Sequence, residues 1–142
     1  MKKFQSGPLG KTIIVELERG DLLIEGICNA LEESGVKNAL IVSAVGSIQR
    51  LKYHRPIDMG EMANDEFFDI EEPMEVGSLT GSVIDGVGHF HIVAASPNGI
   101  YNGHLEPGTE VMYLMEVILA EITECDLERR LTPENVRKLF KK

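Results

Sequence analysis

Three histidines in the second half of the chain are its best candidates for chemistry. His89 and His91 are two residues apart in a run typical of a β-strand, so both side chains leave the same face. His104 follows a Pro-Asn-Gly turn that could fold it back beside this pair. Three neutral imidazoles suit zinc and leave a fourth tetrahedral position open. A His-x-His pair in a strand is also typical of packed or surface histidines, so the spacing alone leaves both interpretations open.

An open position on zinc makes hydrolysis or hydration chemically possible, because zinc-bound water can supply hydroxide near neutral pH. No serine lies on a recognisable nucleophile turn, and the sequence identifies no catalytic residue. His54 stands among cations and is predicted to lie at the surface or at an interface. Glu106 and Glu110 could orient the imidazole of His104, but a solvated face is the preferred interpretation in so acidic a segment.

Runs of β-branched and apolar residues predict the strands that would position these histidines. A first strand over 12–17 is followed by apolar residues at three- and four-residue spacing, which predict a helix over 22–34. Asp21 is its predicted N-cap, and Gly35 its predicted terminator. Further strands are predicted at 39–45, 48–54, 67 onward, 74–84, 89–95, 100–105 and 111–122.

Turn signals complete the predicted fold. Asp85-Gly86 is typical of a tight hairpin turn, and residues 55–66 lack periodicity and are predicted to form a loop. Thr132-Pro133-Glu134 is typical of a helix start and predicts a C-terminal helix. We therefore expect an α+β fold, a compact single domain over 1–142. It would be mostly antiparallel sheet, with one helix after the first strand and a second at the C-terminus.

The composition is that of one soluble domain. The chain has 142 residues, 43% of them hydrophobic, and no apolar run approaches the roughly 20 residues that span a bilayer. The first residues carry the charges of a signal peptide but lack its apolar stretch. Cys28 and Cys125 have no ligand-like spacing and are predicted to be free. We expect a cytoplasmic protein with no membrane partner.

The charged residues are unevenly distributed along the chain, whose net charge is −9. Between Pro56 and Glu128 there is no lysine or arginine, while that stretch carries 16 of the 23 acidic residues; all 14 basic residues lie in the flanking segments. Proteins bind DNA through cations that displace condensed counterions. The histidine-bearing segment is thus a poor phosphate binder, and contact with nucleic acid should come from the ends, such as the basic tail over 137–142.

Four segments occur in a recognisable order: Met-Glu-Val-Gly-Ser-Leu-Thr-Gly-Ser at 74–82, His-Phe-His-Ile-Val at 89–93, Asn-Gly-Ile-Tyr-Asn-Gly-His-Leu at 98–105, and Val111 with Glu116-Val117. Together they resemble the PPC domain, the "plants and prokaryotes conserved" domain, along nearly the whole chain to Ile122. The resemblance implies a compact α/β domain that assembles as a homotrimer. It also implies that His89, His91 and His104 are zinc ligands.

Two departures from plant members of that family bear on DNA binding. Those members carry a basic AT-hook of the type Arg-Gly-Arg-Pro, and nothing similar occurs in this chain. They also tend to have Gly-Arg-Phe-Glu before the Leu-Ser-Leu-Ser-Gly strand, whereas this chain has Pro73 in place of the arginine. A DNA-binding role is therefore implied less strongly than the trimer.

Three functions fit these observations. The first is a trimeric, zinc-binding PPC-type protein with a DNA-binding or regulatory role. The alternative is a zinc-dependent enzyme that acts on a small molecule through a water bound at the three histidines. The third is an assembly module in which the metal is structural, because the long apolar strand at 111–122 could pack against a neighbouring subunit.

Overall fold

Strands dominate the architecture. A computed structural model describes all residues, Met1–Lys142. The strands are β1 (Leu9–Glu18), β2 (Ala39–Pro56), β3 (Asp65–Ile84), β4 (Val87–Ser96), β5 (Gly99–Leu105), β6 (Glu110–Ile122), β7 (Leu127–Leu131) and β8 (Arg137–Lys141), and the helix α1 is Leu23–Glu33. Strands hold 63% of the residues and helix 8%. The predicted α+β fold with two helices is therefore wrong: the protein is mostly antiparallel β with one short helix.

Six strands form one sheet in the order β1-β6-β2-β3-β4-β5, and all of its pairings are antiparallel. The sheet curls, because β5 also pairs with β2. Tyr53 lies opposite Leu105, and His54 lies opposite His104. Strands β2, β3, β4 and β5 consequently form a closed ring of neighbours, and every histidine of the chain lies on this ring.

The helix α1 covers one face of the sheet. Leu23, Ile27 and Leu31 recur at four-residue spacing, so they share one side of the helix and are buried in the core against strand residues. The predicted helix is confirmed within one residue at each end, but Asp21 does not cap it. Leu22 is the N-cap, without a side-chain bond, and Asp21 Oδ2 instead accepts a bond from the Glu18 N–H. This single helix is not long and apolar enough to cross a membrane.

The hairpin between β3 and β4 forms as predicted. Asp85 and Gly86 have φ of 52° and 75°, the conformation that suits Asp-Gly in a tight hairpin turn. The two strands predicted at 39–45 and 48–54 are one continuous strand, β2, with irregular pairing on either side of Gly46. The predicted loop at 55–66 is shorter than expected, because strand pairing extends from Pro56 to Asp65.

The C-terminal helix predicted from Thr132-Pro133-Glu134 is absent, and β7 and β8 form a two-stranded hairpin instead. Asn135 has φ of 60°, which asparagine tolerates in a turn, and its N–H donates to the Thr132 carbonyl. Thr132 N–H in turn donates to the Val136 carbonyl. Thr132 and Pro133 therefore lie in a turn between two strands. The pairing of these strands provides the backbone hydrogen bonds that a helix would otherwise provide.

Candidate metal centre

The structure brings His89, His91 and His104 together. His91 on β4 lies directly opposite His104 on β5, and His89 precedes His91 by two residues on the same face. Their ligand nitrogens all lie within 4.8 Å of one another. The Nε2 atoms of His89 and His91 are 3.4 Å apart. Because zinc binds histidine nitrogen at about 2.0–2.1 Å, one ion could contact all three imidazoles after small side-chain movements.

Two glycines let the strands carrying these histidines approach closely. Gly81 on β3 has φ of 138°, and a β-carbon there would collide with the carbonyl oxygen of His89. Next to His104, a β-carbon on Gly103 would collide with the carbonyl oxygen of His54. Glycine at these two positions therefore permits the β3–β4 and β2–β5 contacts that assemble the cluster.

Burial favours the neutral form of His89 and His104. The pKa of His104 is lowered from 6.5 to about 4, mainly by burial and also by the neighbouring histidines and Arg129. Burial is also the main reason that the pKa of His89 is lowered, with Arg129 the next cause. A neutral imidazole has the free lone pair that a metal ion needs. The donor set thus fits a zinc-type cation at neutral pH.

His54 and Glu106 adjoin this cluster. The side chain of His54 is only 19% exposed, and its ring stacks on that of His104 with centroids 4.4 Å apart. Its Nδ1 lies 2.5 Å from Glu106 Oε1, and its Nε2 lies 3.8 Å from Asp65 Oδ2. His54, His104 and Glu106 form a second group of potential metal ligands. The sequence shows no local signal for this arrangement, because only the pairing of β2 with β5 creates it.

Arg129 on β7 also reaches the cluster, and sequence reasoning did not single it out. Its Nη2 donates to Ser82 Oγ at 2.9 Å, and its Nη1 lies 3.3 Å from His89 Nδ1. Burial lowers the pKa of this guanidinium. The β7–β8 hairpin places Arg129 at the site. Because a helix was predicted at this end of the chain, the sequence did not indicate that Arg129 lies next to His89.

A polar groove adjoins His91. Its volume is about 210 Å³, and the polar side chains that line it beside His91 are Ser78, Thr80 and Asn102. Thr80 lies directly opposite His91 across β3 and β4. These hydroxyl and amide groups can bind a polar ligand next to the imidazoles. A larger cavity, of about 330 Å³, lies beside Cys28 at the end of α1, and no histidine lines it.

A family model and solved structures match this chain. The model described as the Plants and Prokaryotes Conserved (PCC) domain, also written PPC, matches residues 4–123. A metal-containing protein from Archaeoglobus fulgidus is 27% identical, with a TM-score of 0.81 and 95% of each chain covered. A PPC protein from Pyrococcus horikoshii is 22% identical, with a TM-score of 0.82, and the match covers 96% of this chain and 95% of that protein. A candidate DNA-binding protein from Bacteroides thetaiotaomicron is 18% identical, with a TM-score of 0.78, and the match covers 96% of each chain. The last two likenesses show the fold alone.

Curated proteins also match part of the chain. Bifunctional GlmU proteins from two Synechococcus strains are 30% identical to it over 95 residues, which is 66% of this chain. The match spans 14% of the length of each GlmU protein. It therefore concerns a small part of those proteins.

Proposed function

The chain belongs to the Plants and Prokaryotes Conserved domain family, and we propose that it is a zinc-binding member that assembles as a homotrimer. The observation that carries the proposal is the convergence of His89, His91 and His104, whose ligand nitrogens lie within 4.8 Å. Neutral imidazole nitrogens favour zinc over magnesium or calcium, which prefer oxygen ligands. The similar Archaeoglobus fulgidus protein is named as metal-containing, which supports a metal in this chain as well.

Other residues would shape the surroundings of the ion held by the three histidines. Zinc with three protein ligands can polarise or bind one further ligand. Glu106 holds His54 in place through its short contact with Nδ1, and His54 in turn stacks on His104 and restricts the orientation of that ring. The groove at His91 gives a polar ligand access to the same side of the sheet.

The zinc content of untagged protein tests this proposal. We expect about one zinc per chain in the wild type and a near-complete loss in His89→Ala, because two imidazoles bind zinc far more weakly than three. His54→Phe is the matched control: it keeps an aromatic ring against His104 but removes a histidine outside the three. Retention of zinc in His89→Ala, or an equal loss of zinc in His54→Phe, would contradict the assignment of ligands.

Association of protomers is supported by the outer face of the sheet, opposite α1. Ile14 and Ile118 lie opposite each other on β1 and β6, Val45 and Leu114 share their side of the strands, and the pair Glu16 and Glu116 lies between them. Ile14 is 73% exposed and Val45 52% exposed in the single protomer. Exposed apolar side chains grouped on one sheet face are typical of an interaction surface. A second and third copy of this chain would cover them.

DNA contact through the C-terminal hairpin is a second candidate function. Six of the 14 basic residues lie between Arg129 and Lys142, beyond the acidic stretch. Lys138 and Lys142 pair with carboxylates, whereas Arg137 and Lys141 have no carboxylate within 4 Å. A two-stranded β-ribbon fits the major groove of DNA. Two structures with the same fold are those of candidate DNA-binding proteins.

Replacing Arg137 and Lys141 with alanine tests this second candidate. If the hairpin contacts phosphates, the double substitution should lower the affinity for DNA. The slope of the logarithm of the binding constant against the logarithm of the salt concentration should become shallower by about 2, since each phosphate contact contributes about 0.9. Arg19 and Lys37, two cations on other loops, make the matched control pair. Equal effects of the two double substitutions would remove the hairpin as the contact.

A further inference from the structure

Arg129 is a partly buried cation without a counter-ion. No carboxylate lies within 4 Å of its guanidinium, although the chain has 23 acidic residues. Its Nη2 donates to Ser82 Oγ, its Nη1 faces His89 Nδ1, and its Nε is buried without any partner. Buried charges in proteins are normally paired, so an unpaired guanidinium beside a ligand cluster needs an explanation.

The contact with His89 fixes the proton on that ring. A guanidinium can only donate hydrogen bonds, so His89 Nδ1 must accept, and the proton of the neutral ring must lie on Nε2. That Nε2 faces His91 Nε2 at 3.4 Å. His89 can offer Nε2 to a cation only when its proton moves to Nδ1. Nδ1–H would then face the N–H groups of Arg129, donor against donor.

Histidines that bind metal usually donate their second ring N–H to an acceptor such as a carboxylate or a carbonyl. Arg129 instead presents N–H donors to His89, and its positive charge also repels a cation at the three histidines. In its observed position Arg129 therefore weakens metal binding. When a cation occupies the cluster, the guanidinium loses its acceptor on His89 and is free to contact another group.

We propose that this group is a small oxyanion, a carboxylate or a phosphate, which binds the zinc-loaded cluster with Arg129 as its partner. The inference rests on the proposed zinc site. Three neutral imidazoles do not offset a dication, and Glu106, an acid beside His104, is engaged by His54. Guanidinium groups bind oxyanions through charge-assisted, often bidentate hydrogen bonds. The groove beside His91, with Ser78, Thr80 and Asn102, offers further hydrogen-bonding groups to such a ligand.

Arg129 lies outside the part of the chain that matches the family model. β7 begins at Leu127, beyond the residues 4–123 that match the family domain. The three histidines lie inside the matched domain. The domain would therefore contribute the metal ligands, and the hairpin would contribute the anion selectivity.

Two binding measurements on Arg129→Met test the inference. Zinc affinity of the metal-free protein is measured by competition with a chromophoric chelator. Binding of inorganic phosphate and of acetate to the zinc-loaded protein is measured by calorimetry, and to the cobalt-loaded protein by visible absorption. We expect tighter zinc binding in the variant and phosphate or acetate binding weakened by about tenfold or more, the loss typical of one charged hydrogen bond. Phosphate and acetate distinguish the two kinds of oxyanion.

Arg130→Met is the matched control, because Arg130 is the adjacent residue, is exposed and pairs with Glu128. It should leave both affinities unchanged. Effects of opposite sign on zinc and on anion cannot come from misfolding, which would weaken both. Unchanged anion affinity in Arg129→Met, with zinc bound normally, overturns this inference and leaves the zinc site standing. Failure of the wild type to bind zinc overturns the proposed function and the inference together.

Discussion

At the scale of single residues, burial favours the neutral form of His89 and His104, which is the form that can bind a metal ion. His104 lies between His54 on one side and the pair His89 and His91 on the other, so a proton on its ring would meet both low solvation and other imidazoles. The lowered pKa of His104, about 4, follows from that position. The burial that keeps the ring neutral, and thus able to bind a metal ion, also makes the metal-free protein sensitive to acid.

We predict that the metal-free protein loses stability as pH falls from about 6.5 to about 4. Above pH 6.5 His104 is neutral in both the folded and the unfolded chain. Between the two values the unfolded chain binds a proton that the folded chain excludes, so the free energy of unfolding falls with pH. Below pH 4 this contribution no longer changes. Melting temperatures of metal-free protein at about pH 7 and pH 5 measure the effect.

His104→Asn should reduce that pH dependence, whatever its effect on stability at neutral pH. The informative quantity is the difference in melting temperature between the two pH values, compared between variant and wild type. An equal difference in both proteins would show that other groups, such as His89, whose pKa is also lowered by burial, account for the acid sensitivity.

Sequence spacing was sufficient to nominate His89, His91 and His104 because strand alternation and one turn bring them together. It was not sufficient for His54 or Arg129. His54 reaches His104 only because β5 pairs with β2 as well as β4. Arg129 reaches His89 only because the last residues form a hairpin that returns to β3 and β4. Both are long-range pairings, and no local pattern encodes them.

At the scale of elements, the site depends on how closely β5 approaches β2. Gly103 lies against the backbone of His54, with the ring of Tyr53 also in the way of any side chain. The backbone there cannot retreat easily, because Leu105 on the same strand is buried in the core. A close backbone approach next to a ligand residue thus links the packing of the sheet to the geometry of the site.

We predict that Gly103→Ala destabilises the fold by about 2 kcal/mol, the typical cost of overpacking a well-packed site. It should also weaken zinc binding, because moving β5 away from β2 displaces His104. Chemical denaturation and zinc competition measure the two effects. Gly99→Ala is the matched control: it lies on the same strand, and an added β-carbon there meets no atom within 4 Å. Equal loss of zinc affinity in both variants would refute the role given to Gly103.

The elements also show where local signals were reliable. The Asp-Gly turn and the apolar face of α1 are properties of a few neighbouring residues, and both formed as predicted. Thr132-Pro133-Glu134 is equally local but fits a turn as well as a helix start. No buried apolar stripe follows it: Leu139 and Phe140 are only partly buried, next to each other on β8. Without an apolar stripe to bury, an N-capping signal alone does not make a segment helical.

At the scale of the whole molecule, α1 covers one face of the sheet and leaves apolar side chains exposed on the other. Strands β1, β6 and β2 are the part of the sheet with this uncovered face, where Ile14, Ile118, Val45 and Leu114 lie around the pair Glu16 and Glu116. The chain supplies no second helix to cover it. The homotrimer proposed for this protein accounts for the arrangement, since each copy could cover part of its neighbour.

We predict that Ile14→Lys converts the trimer to monomers without unfolding the protomer. Ile14 is 73% exposed in the single chain, so a lysine there costs little within the protomer but replaces an apolar side chain of the proposed interface by a charge that would have to lose its water. Light scattering coupled to size exclusion measures the mass, and circular dichroism confirms the fold. Leu131→Lys is the control, because Leu131 is 59% exposed but lies on the C-terminal hairpin. A monomeric wild type, or a variant that remains trimeric, would exclude this face as the interface. If the monomeric variant still binds zinc, all three ligands come from one chain, as their proximity within the protomer predicts.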